Sequence, residues 1–452
     1  MSQIVNPHTP GVKLVEKSIL PPSVVQVSTA IPVFLGYTEE GEIGVPKRIT
    51  SLKDYQDAFG GGDAQTFTIS GTSGNYSASL SPSSFFLYEA MQLYFMNGGG
   101  ACYIIPVGLY VEDDGTGTMV TNTLEASDFI GDPQNNKPDW MSSIKKLDEP
   151  TIIAFPEAVG LDLTDYKDVV SSAVAVCENT KDKFVLVDAP NGSDLLDFNQ
   201  NGGLSNYRAA ITDSPYAAAY YPSLKTTAKY KVDESNYPGS PAVGSADYTA
   251  ISNAVNAVNR AIIPPSALMA GVYAKVDRER GVWKAPANVA LQGVIEPTVQ
   301  VSDADQHELN VDATAGKSIN ALRQFVGKGT VVWGARTLDG NNNEWRYVNV
   351  RRLFITVEES VSKACAQFVF ENNDAKTWSK VNSMIKSYLN GLWKEGALIG
   401  ASAEEAYFVE VGLGTTMSQQ DILEGKMIVR IGLAAVRPAE FIILEFSHFV
   451  NQ

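Results

Sequence analysis

Histidine is scarce in this chain of 452 residues, which holds only three: His8, His307 and His448. Ser-His-Asp and Cys-His catalysis both need a histidine within hydrogen-bond reach of the nucleophile. No GxSxG turn frames a serine, and His307 lies in the polar segment DADQHELN, which we expect to be a loop. We therefore expect His307 to be a solvated surface residue, and we expect no catalytic residue in this chain.

Cysteine is equally scarce, and Cys102, Cys177 and Cys365 lie far apart in the sequence. This spacing offers no CxxC pair, no disulfide framework and no cluster of zinc ligands. It favours a reducing compartment. We expect neither a metal site nor a cofactor.

Phosphate-binding glycine motifs are incomplete. Gly316, Lys317 and Ser318 supply the end of a Walker A loop, but the first glycine of that motif would fall at Val311. The three glycines at 98–100 follow a predicted helix, whereas a Rossmann fingerprint opens one. A helix stop is the better interpretation of this glycine run.

Long apolar runs and excess positive charge are also missing. No segment approaches the roughly 18 apolar residues of a membrane span, and the start of the chain lacks the pattern of a secretory signal. The chain holds 35 basic and 51 acidic residues, so its net charge is −16. This charge argues against nucleic-acid binding and against insertion into or binding to anionic membranes. We expect a protein made in the cytoplasm without a signal peptide.

The apolar fraction of 44% is sufficient for a sizeable core, and the length predicts about two or three domains. The last 122 residues hold 12 basic and 14 acidic residues, whereas the residues before them hold 23 and 37. We predict an N-terminal arm at 1–28, an acidic middle domain at 29–330 with a surface excursion near 110–150, and a nearly neutral C-terminal domain at 331–452.

The two ends of the chain have the character of strands without a partner. Prolines exclude a helix in the first 28 residues, and Val12, Leu14 and Val15 give this region a short strand pattern. An isolated strand needs a sheet to join, so this segment is either a frayed terminus or an arm that pairs with another element or subunit. The far end offers a second such strand, with Ile442, Leu444 and Phe446.

Strand and helix patterns alternate through the middle of the chain. Buried strands are predicted at 31–37, 102–107, 151–156 and 184–190, and helices at 84–96, 164–178, 248–260 and 266–277. Ser266 is placed to cap the last helix. The strand, helix and strand between 151 and 190 predict a βαβ unit with a parallel pair. Residues 191–250 are rich in loop formers.

The last quarter predicts a compact module of helices and strands, so the fold class is mixed α/β (α+β). Its predicted elements are strands at 330–336, 427–436 and 441–446, and helices at 350–365 and 378–393. Asn373 or Asp374 caps the second helix. Ser418 and Asp421 match a capping box for a short helix that ends at Gly425. The arginines at 278, 280, 351 and 352 are expected to pair with carboxylates of the same chain.

Several long segments resemble contractile tail sheath proteins, in the order in which that family has them. They are TPGVKLVEKSILPPSVVQVSTAIPVFLGYTEEG near the start, GVWKAPANVALQGV (281–294), ALRQFVGKGTVVWGARTL (321–338), EWRYVNVRRLFITVEES (344–360), FVFENND (368–374), LWKEGALIGASAEEAYFV (392–409) and TTMSQQDILEGKMIVRIGLAAVRPAEFIIL (415–444). These matches include most of the last quarter of the chain. The whole is similar to the sheath subunit of a contractile phage tail or a related injection system.

The resemblance implies a structural subunit that stacks as hexameric rings around an inner tube. A baseplate trigger would start contraction, which drives the tube through a target envelope. The implied partners are further copies of this chain, the inner tube protein, and baseplate and terminal cap proteins. The resemblance also implies that the arms exchange strands between subunits, that the C-terminal module lies near the tube, and that the middle domain has a subtilisin-like fold without catalysis.

The short capped helix near 418–424 is our candidate for the tube contact, with Asp421 and Glu424 as its polar residues. A solvated helix is the alternative interpretation of the same pattern. For the whole chain, a non-contractile shell or surface-layer protein and a subtilisin-like hydrolase are the other hypotheses. A shell would polymerise into one lattice with no compact form, whereas a hydrolase would need the missing histidine.

Overall fold

The computed structural model describes residues 23–72, 74–80, 85–113, 118–132, 134, 137, 139–189, 203–312 and 314–441. The chain divides into two compact units. The larger unit comprises Gln26–Glu359 and the chain from Ala435 onward, and the smaller one comprises Ser360–Ala434 with the chain up to Val25. The predicted domain boundary between residues 330 and 331 stays a prediction.

The described ranges contain the following strands: β1 Pro32–Thr38, β2 Lys47–Ile49, β3 Ala64–Gln65, β4 Phe67–Thr72, β5 Asn75–Leu80, β6 Cys102–Leu109, β7 Val111–Asp113, β8 Met119–Thr121, β9 Ile152–Ala154, β10 Phe184–Asp188, β11 Ala217–Tyr221, β12 Leu224–Thr226, β13 Lys231–Val232, β14 Ile262–Ile263, β15 Val294–Pro297, β16 Ile319–Phe325, β17 Gly329–Val332, β18 Tyr407–Glu410 and β19 Arg430–Leu433.

The helices of the same ranges are α1 Leu52–Phe59, α2 Leu87–Met96, α3 Ala126–Ile130, α4 Trp140–Ile144, α5 Leu163–Thr180, α6 Gly203–Ala210, α7 Ala246–Val258, α8 Ser266–Arg280, α9 Asp303–Asn310, α10 Val348–Cys365, α11 Ala375–Lys394, α12 Ala403–Ala406 and α13 Gln419–Leu423. Short 3₁₀ segments lie at Pro156–Gly160, Glu234–Asn236 and Ala366–Phe368.

The larger unit is built on an eight-stranded sheet with the order β17-β16-β11-β10-β9-β1-β6-β2. The strands from β16 to β6 are parallel, and β17 and β2 run antiparallel at the two edges. All residues of β1, β10 and β11 are buried, as expected for parallel strands that are covered on both faces. After β6 the chain returns to the other side of β1 and adds β9, β10, β11 and β16 in succession.

The predicted βαβ unit is confirmed, because β9 and β10 pair in parallel and α5 connects them. Asp162 caps α5 through its side chain, which accepts the N–H groups of Thr164 and Asp165. The buried strands predicted near β1 and β6 and the helices near α2, α7 and α8 are also present. The mixed α/β fold class is confirmed by this sheet and its helices.

The predicted surface excursion near 110–150 stays a prediction, since the hairpin β7–β8 is exposed whereas Phe129, Met141 and Ile144 of α3 and α4 are buried in the core. Two local predictions were wrong. The loop-rich segment 191–250 contains β11, a fully buried strand of the main sheet whose AAAYY sequence lacks the β-branched residues typical of strands. Ser266 does not cap α8, because it is already the first residue of that helix.

The smaller unit holds α11, α12, α13 and a two-stranded antiparallel sheet of β18 and β19. Asp374 caps α11 by accepting the N–H of Thr377, as one of the two predicted caps. The apolar stripe of α11 is buried, with Val381, Ile385 and Leu389 on one face. The predicted strand at 427–436 is present as β19, whereas the one at 441–446 lies outside the described residues except for Phe441.

Candidate interaction surfaces

The carboxyl edge of the parallel sheet, where open α/β sheets bind ligands at a reversal of strand order, is occupied by a side chain of this protein. The reversal lies between β1 and β9, and Glu157 follows β9 at that edge. Its carboxylate accepts the N–H groups of Tyr37, Phe86 and Leu87 at 2.6, 2.7 and 2.8 Å. Glu157 therefore satisfies the N-terminus of α2, where an external anion would otherwise bind.

Two features show how closely Glu157 is enclosed. A Cβ at Gly36 would lie 2.7 Å from its Oε2, so β1 needs glycine at this point. Burial raises the pKa of Glu157 to about 8, while its three N–H donors act to lower it.

A second buried carboxylate has the same role at β10. Asp188 ends that strand, and its Oδ1 accepts the N–H of Ser266 at 2.7 Å, at the start of α8. Burial raises the pKa of Asp188 to about 7. The cap predicted to come from the helix itself thus comes from the sheet, which sequence position could not reveal.

The residues considered for chemistry are dispersed. His307 is exposed on α9, which begins with a capping box of Ser302 and Asp305, so it lies on a helix and not in a loop. Cys102 and Cys177 are buried in the core, and burial raises the pKa of both thiols. Within the described ranges no group of three or more His, Cys, Asp or Glu side chains is placed to hold a metal ion. His8 and His448 lie outside those ranges.

Among the helices of the described residues, none is both long enough and apolar enough to cross a membrane.

The two arginines of α10 pair with carboxylates of the same chain, as predicted. Arg352 forms a two-pronged pair with Asp277 of α8, with N–O distances of 3.0 and 2.6 Å, and the two side chains are 4% and 5% exposed. Its guanidinium also donates to the carbonyl of Thr29 at 2.7 Å, close to the point where the N-terminal segment enters the sheet. Arg351 pairs with Glu358 at 2.9 Å.

Glu440 holds the chain in place just before the C-terminal strand segment. Its carboxylate receives a two-pronged bond from Arg336, with closest distances of 3.0 and 2.7 Å, and further bonds from Asn310 and Tyr347 at 2.8 and 3.1 Å. Burial acts to raise the pKa of Glu440, but these bonds outweigh it and lower the pKa. The chain at Glu440 is therefore held by three side chains of the larger unit.

The sheet of the smaller unit has an open edge. Ala434 N–H donates to Ala406 O at 2.9 Å, so the alternation of an antiparallel pair turns the N–H groups of Ile431 and Leu433 away from β18. No described strand pairs with β19 on that side. The opposite edge is partly covered, because the side chain of Asn382 on α11 donates to Val409 O at 3.1 Å. The outer edge of β19 is thus the site at which a further strand fits.

The pair itself is held by side chains as well as by its ladder. The Phe408 ring lies directly on the backbone of Gly432, where a Cβ would collide with it. Arg430 and Glu410 face each other across the strands at 3.5 Å. These contacts keep β19 in register, while its outer edge has no partner among the strands that the structure describes.

The predicted arm residues Val12, Leu14, Val15, Ile442, Leu444 and Phe446 lie outside the described residues. Their role in strand exchange stays a prediction. Thr29 and Glu440, which are described residues on the inner side of the two terminal segments, each bond to an arginine within the larger unit.

The helix proposed for tube contact forms as predicted. Ser418 caps α13, because its side chain accepts the N–H of Asp421. The Asp421 carboxylate in turn accepts the N–H of Ser418 at 2.9 Å. Glu424 lies at the exposed end of the helix, where it pairs with Lys426 at 2.6 Å. The Asp421 carboxylate is therefore used by the helix itself, and Glu424 is the more available charge. The contact of Asp421 and Glu424 with a tube stays a prediction.

Comparison with known proteins gives the family. Residues 134–338 match the model of the phage tail sheath protein central domain, and residues 340–448 match that of the phage tail sheath C-terminal domain. A sheath chain of the extracellular contractile injection system PVC, in the contracted state, is 35% identical, covers 99% of both chains and has a TM-score of 0.68. The contracted helical sheath of the anti-feeding prophage is also 35% identical, covers 97% of this chain and 98% of that one, and has a TM-score of 0.67.

The matches to curated relatives cover only part of each chain. The tail sheath protein of Vibrio phage KVP40 is 26% identical over 277 residues, which are 58% of this chain and 38% of that protein. The match to this chain thus spans less than half of the length of that relative. The fold, the two family models and the full-length likeness to solved sheath chains all indicate the same family. The chain belongs to the contractile tail sheath family, whose members are structural proteins and not enzymes.

Proposed function

We propose that this chain is the repeating subunit of a contractile sheath, which polymerises as stacked hexameric rings around an inner tube and contracts to drive that tube through a target cell envelope. The observation that carries the proposal is the full-length likeness to sheath chains of two injection systems, both in the contracted state. Its place would be a phage tail or a tail-like particle, assembled in the cytoplasm with tube, baseplate and cap proteins.

Strand exchange would connect the subunits. The outer edge of β19 presents the N–H groups of Ile431 and Leu433 to a strand from a neighbour, which adds main-chain hydrogen bonds between chains. The terminal segments with Val12, Leu14 and Val15 or Ile442, Leu444 and Phe446 have the composition for such a strand. The bonds at Thr29 and Glu440 would transmit tension from each arm to the larger unit.

Contraction would be a change in how folded subunits pack, and no nucleotide is needed for it. The larger unit has a closed core in which Glu157 and Asp188 satisfy two helix starts, so it moves as a rigid body. Interfaces between rigid bodies have discrete alternative packings. A strand-linked mesh keeps its connections while the other contacts change.

Charged groups are suited to a tube contact that must be released on contraction. We expect Glu424→Lys to weaken binding of the subunit to preformed inner tubes by about fivefold at low salt, since the substitution reverses the charge at an exposed contact. Cosedimentation at low and high salt measures this, because the wild-type contact is screened and the difference should shrink.

Glu395→Lys is the matched control for this test. It makes the same charge change at an exposed residue that follows α11, and it should leave tube binding unchanged. Binding that is insensitive to salt and equal for Glu424→Lys and the wild type would exclude α13 as the tube contact.

Electron microscopy of the chain co-expressed with its inner tube protein tests the whole proposal. We expect striated tubes of two kinds, long and narrow with a filled lumen, and short and wide with an empty lumen. Tubes of one width only would favour the static shell. Subunits that stay monomeric at all concentrations and salts would refute the sheath function.

A further inference from the structure

The connection between α10 and α11 presents an aromatic ring to solvent. The Phe370 side chain is 103% exposed and that of its neighbour Val369 is 62% exposed. Phe368, two residues earlier, is buried and fixes the inner side of the connection. In the isolated subunit, therefore, the Phe370 ring gains nothing from burial.

The backbone at Phe370 is one that phenylalanine disfavours. The N–H of Glu371 donates to Phe368 O at 3.0 Å, Val369 has φ −65° and ψ 131°, and Phe370 has φ 69°. This is a type II turn with Phe370 at its third position, where the left-handed conformation calls for glycine. The chain thus holds an exposed ring in a strained backbone, a combination that marks functional sites.

The smaller unit exposes other large apolar side chains besides these two. They are Ile399, Phe408, Leu413, Leu423 and Ile428. The larger unit exposes apolar side chains as well, so exposure alone does not single out a surface, but among the described phenylalanines Phe370 is the one that is fully exposed. Aromatic side chains supply most of the binding energy at the centres of interfaces between proteins.

We propose that Phe370, with Val369 beside it, is an aromatic anchor that a second copy of this chain buries in the assembled sheath. The inference rests on the proposed sheath function and adds a specific contact to it. A second copy fits better than the inner tube, because a lasting contact between identical subunits is apolar, whereas the tube must be released. The strained turn then serves to point the ring outwards.

Phe370→Gly tests the anchor, since glycine adopts the turn without strain and removes only the ring. The variant should unfold at the same temperature as the wild type or a higher one. Without tube protein, its self-assembly should need a subunit concentration at least about tenfold higher than the wild type needs. A tenfold difference corresponds to about 1.4 kcal/mol. Light scattering measured against subunit concentration gives the midpoint of assembly for the variant and for the wild type.

Val326→Ser is the matched control, because Val326 is 107% exposed in the β16–β17 hairpin but has no left-handed backbone. It should assemble as the wild type does. Assembly of Phe370→Gly at the wild-type concentration would overturn the anchor alone, and so would a clear loss of thermal stability. Weaker binding to tubes with unchanged self-assembly would mean that the Phe370 ring contacts the tube. This result would also overturn the proposed contact between subunits. A wild-type chain that never assembles would refute the sheath function and the anchor together.

Discussion

A subunit that lacks residues 1–20 is expected to fold normally but to form no long sheaths. Among the described residues, the buried apolar side chains of the larger unit begin at Ile31 and its main sheet begins at Pro32, so we expect this unit to fold without the deleted segment. It does remove Val12, Leu14 and Val15, the residues proposed as the donor strand. Thermal unfolding should therefore match the wild type, while electron microscopy with the tube protein should show isolated subunits or short rings.

The recipient side offers the matched variant for this experiment. Ile431→Pro removes one outward N–H from β19 without breaking a bond to β18, and edge strands tolerate proline. It should reproduce the assembly defect of the deletion, whereas Ile431→Val, which keeps the N–H group, should not. Normal sheaths from the truncated chain would refute strand exchange through the N-terminal arm. Normal sheaths from Ile431→Pro alone would mean that the arm joins another edge.

The elements that sequence predicted well are those with strong local patterns. The all-apolar runs of β1 and β10, the periodic stripe of α11 and the capping box at Ser418 and Asp421 each encode their own structure. β11 was missed because AAAYY has no strand signal of its own and is a strand only by virtue of its neighbours in the sheet. The resemblance of the middle domain to subtilisin stays a prediction.

The candidate surfaces were only partly visible in the sequence. The open edge of β19 depends on which N–H groups face β18, and this follows from strand register and not from composition. The capping roles of Glu157 and Asp188 depend on strands that meet far along the chain. Phe370 did leave a signal, since FVFENN places a phenylalanine directly before a turn-forming run, but only the φ of 69° shows that the turn requires glycine there.

The sequence around Glu89 carries a clearer signal of a buried charged group. Glu89 is the one charged residue in the helix LYEAMQLYFM, whose other residues are apolar except for one glutamine. The side chain is fully buried on α2, and neither carboxylate oxygen has a hydrogen-bond partner. Burial, followed by the nearby carboxylates of Glu157 and Asp63, raises the pKa of Glu89 to about 8. The side chains facing it from other elements include three tyrosines, Tyr55, Tyr110 and Tyr230.

The larger unit should consequently lose stability as the solution becomes alkaline. A glutamate with a raised pKa in the folded state contributes stability that is complete below its unfolded pKa and is lost as pH rises towards about 8. Between about pH 5 and about pH 9 the loss from Glu89 alone is on the order of 4 kcal/mol, at about 1.4 kcal/mol per pKa unit. Glu157 and Asp188, whose pKa values are also raised, add losses of their own. Glu89→Gln should remove only the share of Glu89, so the variant unfolds at higher urea than the wild type in alkali and at similar urea in acid, but keeps part of the dependence on pH.

Two further variants separate this effect from a general loss of carboxylates. Glu279→Gln changes an exposed glutamate of α8 and should keep the wild-type dependence on pH. Glu157→Gln should destabilise the unit at every pH, because a buried amide cannot accept all three N–H groups that the carboxylate accepts. Urea unfolding of dilute, unassembled subunits across this pH range measures all four proteins. If the urea unfolding of Glu89→Gln followed the wild-type dependence on pH throughout, ionisation of Glu89 would not contribute to the alkaline loss of stability. The buried carboxyl group would then ionise with little cost in free energy.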